Sequence, residues 1–334
     1  VYLSGIERLN EEQVDALLVK LHTAPLGTLR PEDETQNNKP WQRQQAEIMP
    51  GDVPSGAEIT LADRVYIPVH HFSNRAQNQL KRIAAFRNPQ YYRNQAMRMP
   101  VWNVPRIICC AEYQGDYLAF PRGCADDILD WMQINHIDTR TIDERGPGRN
   151  INVSFNGKLR EEQQIAFEAL SAHDTGILSA TTAFGKTVIG AALIAEKKVN
   201  TLILVHRSQL MEQWKERLEQ FLIIDEVFPP QPKRRGRPKK REIIGLYGAN
   251  KDTRSGIIDI AMLQSMGDTD EIKPWIREYG MVIVDECHHI PAVSFEQVLK
   301  SVTAKHIYGL TATPKRQDGH HPILQMYLGG IRYH

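Results

Sequence analysis

The sequence predicts an α/β protein in which a larger parallel sheet, covered by helices on both faces, follows a smaller α+β domain. After residue 158, short apolar segments alternate with segments of helical periodicity. Two of the apolar segments, TLILVH (201–206) and MVIVDE (281–286), are almost continuous aliphatic runs, as expected for strands buried on both faces. Before residue 145 the chain mixes short β-like and helix-like runs, and ERGPGRN (144–150) separates the two patterns with glycine and proline.

Composition and charge narrow the class of protein. The 334 residues are 41% hydrophobic, which is enough for one or two buried cores. Lys plus Arg (41) balances Asp plus Glu (40), so the net charge of +1 gives no general argument for a polyanionic partner. The four cysteines lack the paired spacing of a zinc site, and we interpret them as reduced thiols.

The N-terminal sequence and the hydropathy of the chain indicate where in the cell the protein is located. No apolar run approaches the roughly 18 residues that a membrane helix needs. The first residues, VYLSGIERLNEEQ, do not resemble a signal peptide. We therefore expect a cytoplasmic protein without a membrane partner, associated with the nucleoid if it is bacterial.

The first 150 residues divide into two predicted parts. Residues 1–59 are expected to form one amphipathic helix over 7–22, followed by a linker over 24–59 that is rich in Pro, Gln, Asn and acids. Residues 60–150 are expected to form the accessory α+β domain. Its strands fall in RVYIPV and RIICCAEYQGDYLAF, and its helices fall near 76–86 and 123–135.

A basic tract lies within this accessory domain. The segment from Arg64 to Ala111 holds eight Lys or Arg and no Asp or Glu. Between residues 81 and 102 these cations alternate with Phe86, Tyr91, Tyr92 and Trp102. Bases can stack on such rings while the cations follow the phosphate backbone, so the tract indicates a DNA-binding domain. The same rings are equally compatible with a packed core.

A phosphate-binding loop is predicted at ATTAFGKT (180–187), between a predicted strand and a predicted helix. In this context the N–H groups and dipole of the helix N-terminus hold phosphates, Lys186 reaches the β and γ oxygens, and the Thr187 hydroxyl ligates Mg²⁺. Ala180 stands where the strict pattern has its first glycine. The alternative is an ordinary Gly-Lys-Thr at the start of a helix.

A second catalytic element is predicted at VIVDECHH (282–289), where an apolar strand ends in two carboxylates. Asp285 then lies at the carboxyl end of a parallel strand, where open α/β sheets bind ligands, and can hold Mg²⁺. Glu286 can orient and deprotonate the water that attacks a phosphate. The alternative is a pair of acids that cap a helix.

Taken in order, these segments resemble the first, second and third motifs of superfamily 2 helicases, AxTGxGKT, DExH and TAT. The DECHH form and its flanks, LILVHRSQLMEQW and GLTATPKRQDG, are similar to the XPB/UvrW-like branch and to helicases of bacterial TOTE-type conflict systems, over about residues 159–320. The matching residues are Ala180, Thr182, Gly185, Lys186, Thr187, Asp285, Glu286, His288, Thr311, Ala312 and Thr313. The resemblance implies a RecA-like P-loop NTPase domain that uses ATP and Mg²⁺ and acts on single- or double-stranded DNA.

The resemblance also implies roles for individual residues. The nucleotide contacts are Gln163 at adenine, the loop residues Thr182, Ala183, Phe184, Gly185, Lys186 and Thr187, and His288, which links the nucleotide site to the motor. Thr311 and Thr313 couple that site to strand movement. His206, Arg207, Gln264 and Ser265 fall in the DNA-contacting motifs. Without the resemblance, Arg207 and the threonines are equally well explained as helix-start and turn residues.

One loop position departs from the family pattern. Ala183 stands where these helicases have glycine. If this position requires a positive φ, alanine costs on the order of 1 kcal/mol and weakens nucleotide binding.

A basic insertion is predicted at 228–242, where seven of the nine residues from Lys233 to Arg241 are basic. Arg235 and Arg237 flank a glycine in a sequence that resembles an AT-hook, which lies in a narrow A·T minor groove. The alternative is a solvated run of charge, which still binds DNA phosphates without sequence preference.

These observations predict an ATP-dependent DNA helicase or translocase, with 151–334 as the first RecA-like motor domain. Because the chain ends about twenty residues past Thr313, we expect that a second RecA-like domain is missing from it. Such a domain supplies an arginine finger worth roughly 10³–10⁵ in rate, so this piece alone should hydrolyse ATP weakly. The alternatives are the duplex-DNA translocase subunit of a restriction or defence complex, and a DNA-binding module with a nucleotide switch and little turnover.

Overall fold

The structure, a computed structural model, describes residues 48–228, 242–267, 272–287, 292–312 and 321–334. For 292–295, His321 and Thr182 it describes the backbone alone. Residues 48–334 cluster into one compact unit. The helix expected at 7–22 and the linker up to residue 47 lie outside the described residues. In the part that is described, the helices are too short or too polar to cross a membrane.

The described residues form seventeen strands and eight α-helices. The strands are β1 (Gly56–Leu61), β2 (Val65–Pro68), β3 (Ala85–Arg87), β4 (Ile107–Cys109), β5 (Glu112–Gln114), β6 (Tyr117–Phe120), β7 (Asp138–Asp143), β8 (Val153–Phe155), β9 (Thr175–Ser179), β10 (Thr201–Val205), β11 (Leu222–Ile224), β12 (Ile244–Gly248), β13 (Lys251–Asp252), β14 (Ile258–Met262), β15 (Met281–Asp285), β16 (His306–Thr311) and β17 (Ile331–Tyr333). The helices are α1 (Asn74–Ile83), α2 (Pro89–Ala96), α3 (Ala125–Ile134), α4 (Glu161–Ser171), α5 (Lys186–Lys197), α6 (Ser208–Phe221), α7 (Ala292–Lys300) and α8 (His321–Leu328).

The N-terminal part is a five-stranded sheet in the order β5-β6-β2-β1-β7, with β1 and β7 parallel and the other neighbours antiparallel. Buried residues of α1 and α3, such as Leu80 and Ile128, belong to the same core as Ile59 and Leu118 of the strands. The predicted strand at RVYIPV and the two predicted helices are confirmed, but the first helix ends at Ile83 because Ala85 starts strand β3. The predicted linker was too long, because strand β1 already begins at Gly56.

The C-terminal part is an eight-stranded sheet in the order β13-β12-β14-β10-β15-β16-β9-β17. All its neighbouring strands are parallel except β13, which returns antiparallel to β12. The central strands of the sheet, β14, β10, β15, β16 and β9, are buried on both faces. In β10, Leu202 and Leu204 belong to one hydrophobic core while Ile203 and Val205 belong to the other, which explains the continuous apolar run in the sequence.

Two local predictions for the large sheet need correction. The sequence EIKPWIREYG (271–280) predicts a mostly helical segment, but the helical part of its described residues is a short 3₁₀ helix at Pro274–Glu278. The sequence SQLMEQWKERLEQFL (208–222) predicts a helix through Leu222, but α6 ends at Phe221, because Leu222 starts the short strand β11, which pairs with β8. In both places tertiary contacts decide the conformation over local periodicity.

Buried Arg122 joins the two sheets. It is 4% exposed, and its guanidinium donates hydrogen bonds to the carbonyl oxygens of Val302 (3.3 Å), Ala304 (2.6 Å) and Lys305 (3.3 Å), which precede β16. Burial lowers the pKa of Arg122 to about 9. A single apolar core runs from Ile59 of the small sheet to Val284 of the large one. The domain boundary near residue 150 stays a prediction.

Candidate active site

The candidate site lies where the parallel strands of the large sheet end. Strands β9, β15 and β16 are neighbours in the same direction, so the residues that follow them meet at one edge. Ala180 follows β9, Asp285 ends β15, and Thr311 ends β16. The chain therefore brings the first, second and third predicted motifs together at this edge.

The predicted phosphate loop leaves β9 after Ser179, forms a 3₁₀ turn at Thr182–Phe184, and enters α5 at Lys186. The left-handed residue of this loop is Gly185, with φ of 90°. The positive φ favours glycine here, and a Cβ at Gly185 would lie 2.5 Å from Nε2 of Gln163, so the Gln163 side chain would have to shift. Ala183 is not among the residues with positive φ, and the strain considered for it does not arise.

Lys186 is 6% exposed and lies inside the loop that it follows. Its Nζ donates hydrogen bonds to the carbonyl oxygens of Ala180 (3.1 Å) and Thr181 (3.4 Å). The same atom lies 3.5 Å from Oε1 of Glu286, which makes an ion pair between the first and second motifs. A buried ammonium held by two carbonyls and a carboxylate can exchange those partners for phosphate oxygens.

Asp285 is held from two sides at the tip of β15. Its Oδ2 accepts a 2.7 Å hydrogen bond from the indole Nε1 of Trp214 on α6, and its Oδ1 accepts one of 2.9 Å from the backbone N–H of Glu286. Burial raises the pKa of Asp285 to about 6, and the nearby Glu286 adds to the rise, while the Trp214 hydrogen bond and Lys186 oppose it. A bound divalent cation would counteract this effect of burial on the pKa, because it favours the ionised carboxylate.

Glu286 has an unusual backbone conformation, with φ of 46°. Left-handed backbone in a residue with a long side chain costs on the order of 1 kcal/mol, and such strain is concentrated at functional sites. The conformation brings Oε1 to Lys186 and lets Oε2 accept a 3.4 Å hydrogen bond from the backbone N–H of Ala312. Glu286 thus contacts both the first and the third motif.

The third motif is bonded directly to the phosphate loop. Thr311 is fully buried and pairs with Ser179 in the β16–β9 register. The carbonyl oxygen of Thr311 accepts a 2.9 Å hydrogen bond from the backbone N–H of Ala180. A shift of β16 would therefore move the start of the loop.

Gln163 contacts the loop and holds the start of α4. Its Nε2 donates a 2.7 Å hydrogen bond to the carbonyl oxygen of Phe184, and its Oε1 accepts one of 2.9 Å from the backbone N–H of Arg160. Arg160, which the sequence analysis missed, also donates to the Phe184 carbonyl at 2.7 Å. The Phe184 ring lies 5.5 Å from that of Tyr333 on β17, another missed neighbour, because no local pattern links residues so far apart in sequence.

The predicted DNA contacts lie further along the same edge, after the parallel neighbours β10 and β14. His206 follows β10, and Gln264 and Ser265 form the 3₁₀ turn after β14. Nε2 of Gln264 donates a 3.0 Å hydrogen bond to the carbonyl oxygen of His206, so the two predicted motifs touch. Arg207 precedes α6 with its side chain exposed.

Several predicted residues cannot be placed. His288, Thr313, Arg235 and Arg237 lie outside the described residues, as do the side chain of Thr182 and the basic insertion from 229 to 241. Thr187 lies in the first turn of α5, directly after Lys186.

Comparisons with known proteins agree with this geometry. Residues 156–316 match the family described as "Type III restriction enzyme, res subunit". The putative helicase 109L of Invertebrate iridescent virus 3 is 31% identical over 200 residues, which cover 56% of this chain and 54% of that protein. The DNA 3'-5' translocase XPB2 of Sulfurisphaera tokodaii is 29% identical over 176 residues, which cover 53% of this chain and 35% of that protein. The chain thus spans about half or less of these relatives.

A solved structure shares the fold. The UvsW helicase of Bacteriophage T4 superposes with a TM-score of 0.59 at 17% identity, covering 84% of this chain and 100% of that chain. The fold expected from the sequence, a RecA-like parallel sheet with helices on both faces that follows a smaller α+β part, is confirmed.

Proposed function

We propose that this protein is an ATP-dependent DNA helicase or translocase of the XPB-like branch of superfamily 2, to whose members residues 156–316 are similar. ATP hydrolysis with Mg²⁺ is coupled to movement on DNA. The observation that carries the proposal is the contact of Lys186 with Glu286, beside Asp285, at the start of α5. This arrangement joins a phosphate-binding cation, a metal-binding acid and a base in one site.

The loop and the start of α5 bind the nucleotide. The backbone N–H groups of the first turn of α5 and the Lys186 ammonium bind the β and γ phosphate oxygens. The Thr187 hydroxyl and the Asp285 carboxylate would hold Mg²⁺, which would neutralise charge on the phosphates. Asp285 suits this role because it is buried and fixed by Trp214. Gln163 takes the adenine edge, at the cost of its present hydrogen bond to Phe184.

Glu286 acts as the general base in hydrolysis. Once Lys186 turns to the phosphates, the Glu286 carboxylate is released to orient a water and accept its proton. The contact of Glu286 with the backbone of Ala312 makes the base sensitive to the third motif. Thr311, Thr313 and His288 carry this coupling towards the DNA-contacting residues His206, Arg207, Gln264 and Ser265.

The printed names of the relatives divide between helicase and translocase. XPB2 of Sulfurisphaera tokodaii is a translocase and XPB of Mycobacterium tuberculosis is a helicase. The matched family description favours, as a second candidate, the duplex-translocating subunit of a restriction or defence complex. Strand displacement without triplex displacement supports the helicase, and the reverse result supports the translocase.

The proposal is tested by ATP turnover, with and without DNA, in a version of the protein extended through a second RecA-like domain. DNA-stimulated turnover that disappears in Lys186→Ala supports the motor. Nucleotide binding without turnover contradicts it and supports a DNA-binding module with a nucleotide switch. That alternative relied on strain at Ala183, and the conformation of the loop gives it no support.

A further inference from the structure

Residues 85–109, which lie between α1 and β5, form a segment here called the arm. Its two ends pair as the antiparallel strands β3 and β4, in a register that runs from Ala85 opposite Cys109 to Arg87 opposite Ile107. Phe86 and Ile108 pack against the core at this base. Between the strands the chain forms α2, a helix with no buried residue. The arm is therefore anchored at its base and exposed along its length.

The arm has its own internal structure. The Asn88 side chain caps α2 by accepting a 3.0 Å hydrogen bond from the backbone N–H of Gln90, and its Nδ2 donates one of 2.8 Å to the Pro105 carbonyl oxygen. The backbone N–H of Asn88 donates to the carbonyl oxygen of Arg106 at 3.0 Å. These bonds hold the two sides of the arm together before any partner binds, which lowers the entropic cost of binding.

The charge of the arm is uniformly positive. Its four arginines, Arg87, Arg93, Arg98 and Arg106, lie in a stretch without any Asp or Glu. Within the described part of the chain, none of the four forms an ion pair. Some arginines elsewhere in the described part do form ion pairs, as Arg64 does with Glu112 at 2.9 Å and Arg145 with Asp143 at 2.7 Å. The cations of the arm are thus not neutralised by the protein itself.

Flat rings lie among these cations. The Arg87 guanidinium lies 5.9 Å from the centre of the Tyr92 ring, and Arg106 Nε donates a 3.2 Å hydrogen bond to the Tyr92 hydroxyl. The Tyr91 ring contacts Tyr92 edge to face, with centroids 5.3 Å apart. Trp102 is 82% exposed, so most of this large aromatic residue is open to solvent. Tyr92 is therefore at most partly buried in the core, and Trp102 is not a core residue.

We propose that the arm is a binding site for single-stranded nucleic acid, with Trp102 as a base-stacking platform and Arg87 and Arg106 as phosphate contacts. The inference rests on the proposed function, to which it adds a second strand contact outside the motor. Cations that the protein does not neutralise favour a polyanionic ligand. Exposed flat rings favour a nucleic acid whose unpaired bases can stack on them. A duplex hides the faces of its bases within its stack, and an acidic polypeptide has none.

The test measures binding of a fluorescent oligothymidylate to the full chain without nucleotide. Trp102→Ala is expected to weaken binding roughly ten- to hundred-fold, because one stacked base contributes about that factor. Trp102→Phe, which keeps a ring, is expected to recover much of the loss. The double variant Arg87→Gln/Arg106→Gln is expected to reduce the salt dependence of log K by about 1.4, at roughly 0.7 for each phosphate contact.

Two exposed residues outside the arm provide matched controls. Ile134→Ala removes an apolar side chain that is 74% exposed, and Arg140→Gln removes an exposed cation of β7. Both are expected to leave oligothymidylate binding unchanged. Melting temperatures close to that of the wild type show that Trp102→Ala is folded, as its exposure predicts.

Three results overturn the proposal. They are unchanged oligothymidylate binding in the arm variants, an equal loss of duplex binding in Trp102→Ala, and an equal loss of polyglutamate binding. Lys186→Ala separates the arm from the motor. If that variant abolishes DNA-stimulated turnover while the arm variants bind normally, the arm proposal fails and the motor proposal stands. If the arm variants lose binding and no form of the protein shows DNA-stimulated turnover, the arm proposal stands and the motor proposal fails.

Discussion

The indole nitrogen of Trp214 lies 2.7 Å from Oδ2 of Asp285, so a side chain of α6 fixes the carboxylate at the tip of β15. The same ring packs against α5, since a Cβ at Gly190 would lie 2.7 Å from it. Trp214 therefore connects the helix of the phosphate loop with the strand of the acids. The metal-binding acid of the proposed site is positioned by a residue outside the three motifs.

Replacing Trp214 with phenylalanine tests this connection. The variant keeps a ring in the core but removes the donor, so the pKa of Asp285 should rise further above its ordinary value. We expect Mg²⁺-dependent binding of a fluorescent ATP analogue to weaken roughly ten-fold or more, since a hydrogen bond to a charged group contributes about 1.5–3 kcal/mol. The control is Trp275→Phe, because that ring contacts Tyr247 and Arg254 instead of the acids. Equal metal dependence in the two variants would contradict the role.

The loop conformation gives a paired prediction. Gly185→Ala places a Cβ at φ of 90° and 2.5 Å from Gln163, so we expect it to lower stability by about 1–2 kcal/mol and to weaken nucleotide binding. Ala183→Gly, which restores the residue typical of the family, should leave nucleotide affinity unchanged because Ala183 is not strained. Titration with an ATP analogue and urea unfolding measure both. A marked gain of affinity in Ala183→Gly would refute the conformation described here.

Arg122→Met tests the junction between the sheets. The substitution keeps similar volume but leaves the carbonyl oxygens of Val302, Ala304 and Lys305 without their donor, so we expect a loss of roughly 2–4 kcal/mol in the free energy of unfolding. Arg140→Met is the control, since Arg140 is 80% exposed and should cost little. Urea unfolding curves compare the two. Equal stability of both variants would mean that Arg122 does not hold the sheets together.

A pH-dependent contribution is expected from Asp143. Arg145 donates two hydrogen bonds to its carboxylate, at 2.7 and 2.8 Å, and these hold the pKa of Asp143 below its ordinary value. A lowered pKa stabilises the fold above the unfolded-state value of about 3.9, and the stabilisation is lost as the pH falls towards the folded-state pKa.

Because Asp143 is partly exposed, Asp143→Asn should cost only about 0.5–1 kcal/mol at neutral pH. The difference between wild type and variant should vanish well below pH 4. Unfolding measured across this range tests the sign. A difference in unfolding free energy that grows as the pH falls would contradict a stabilising role for the ionised Asp143.

The sequence was most informative where function depends on short segments. The loop at 180–187 and the acids at 285 and 286 follow apolar strands, and parallel pairing brings the ends of those strands to one edge. No local pattern links Trp214 to Asp285, because the two residues are 71 positions apart in the sequence. The same holds for Arg122, an arginine whose burial depends on carbonyl groups about 180 residues away. The likeness to TOTE-type conflict systems and the AT-hook at Arg235 and Arg237 stay predictions.

The central claim is that Lys186, Asp285 and Glu286 form one site for ATP and Mg²⁺. The most direct test is binding of a non-hydrolysable ATP analogue, with and without Mg²⁺, to the chain and to its Lys186→Ala and Glu286→Gln variants. We expect Mg²⁺-dependent binding that is abolished in Lys186→Ala and retained in Glu286→Gln, because the base acts on water and not on the phosphates. Absence of binding in the wild type, or equal binding in wild type and Lys186→Ala, would contradict it.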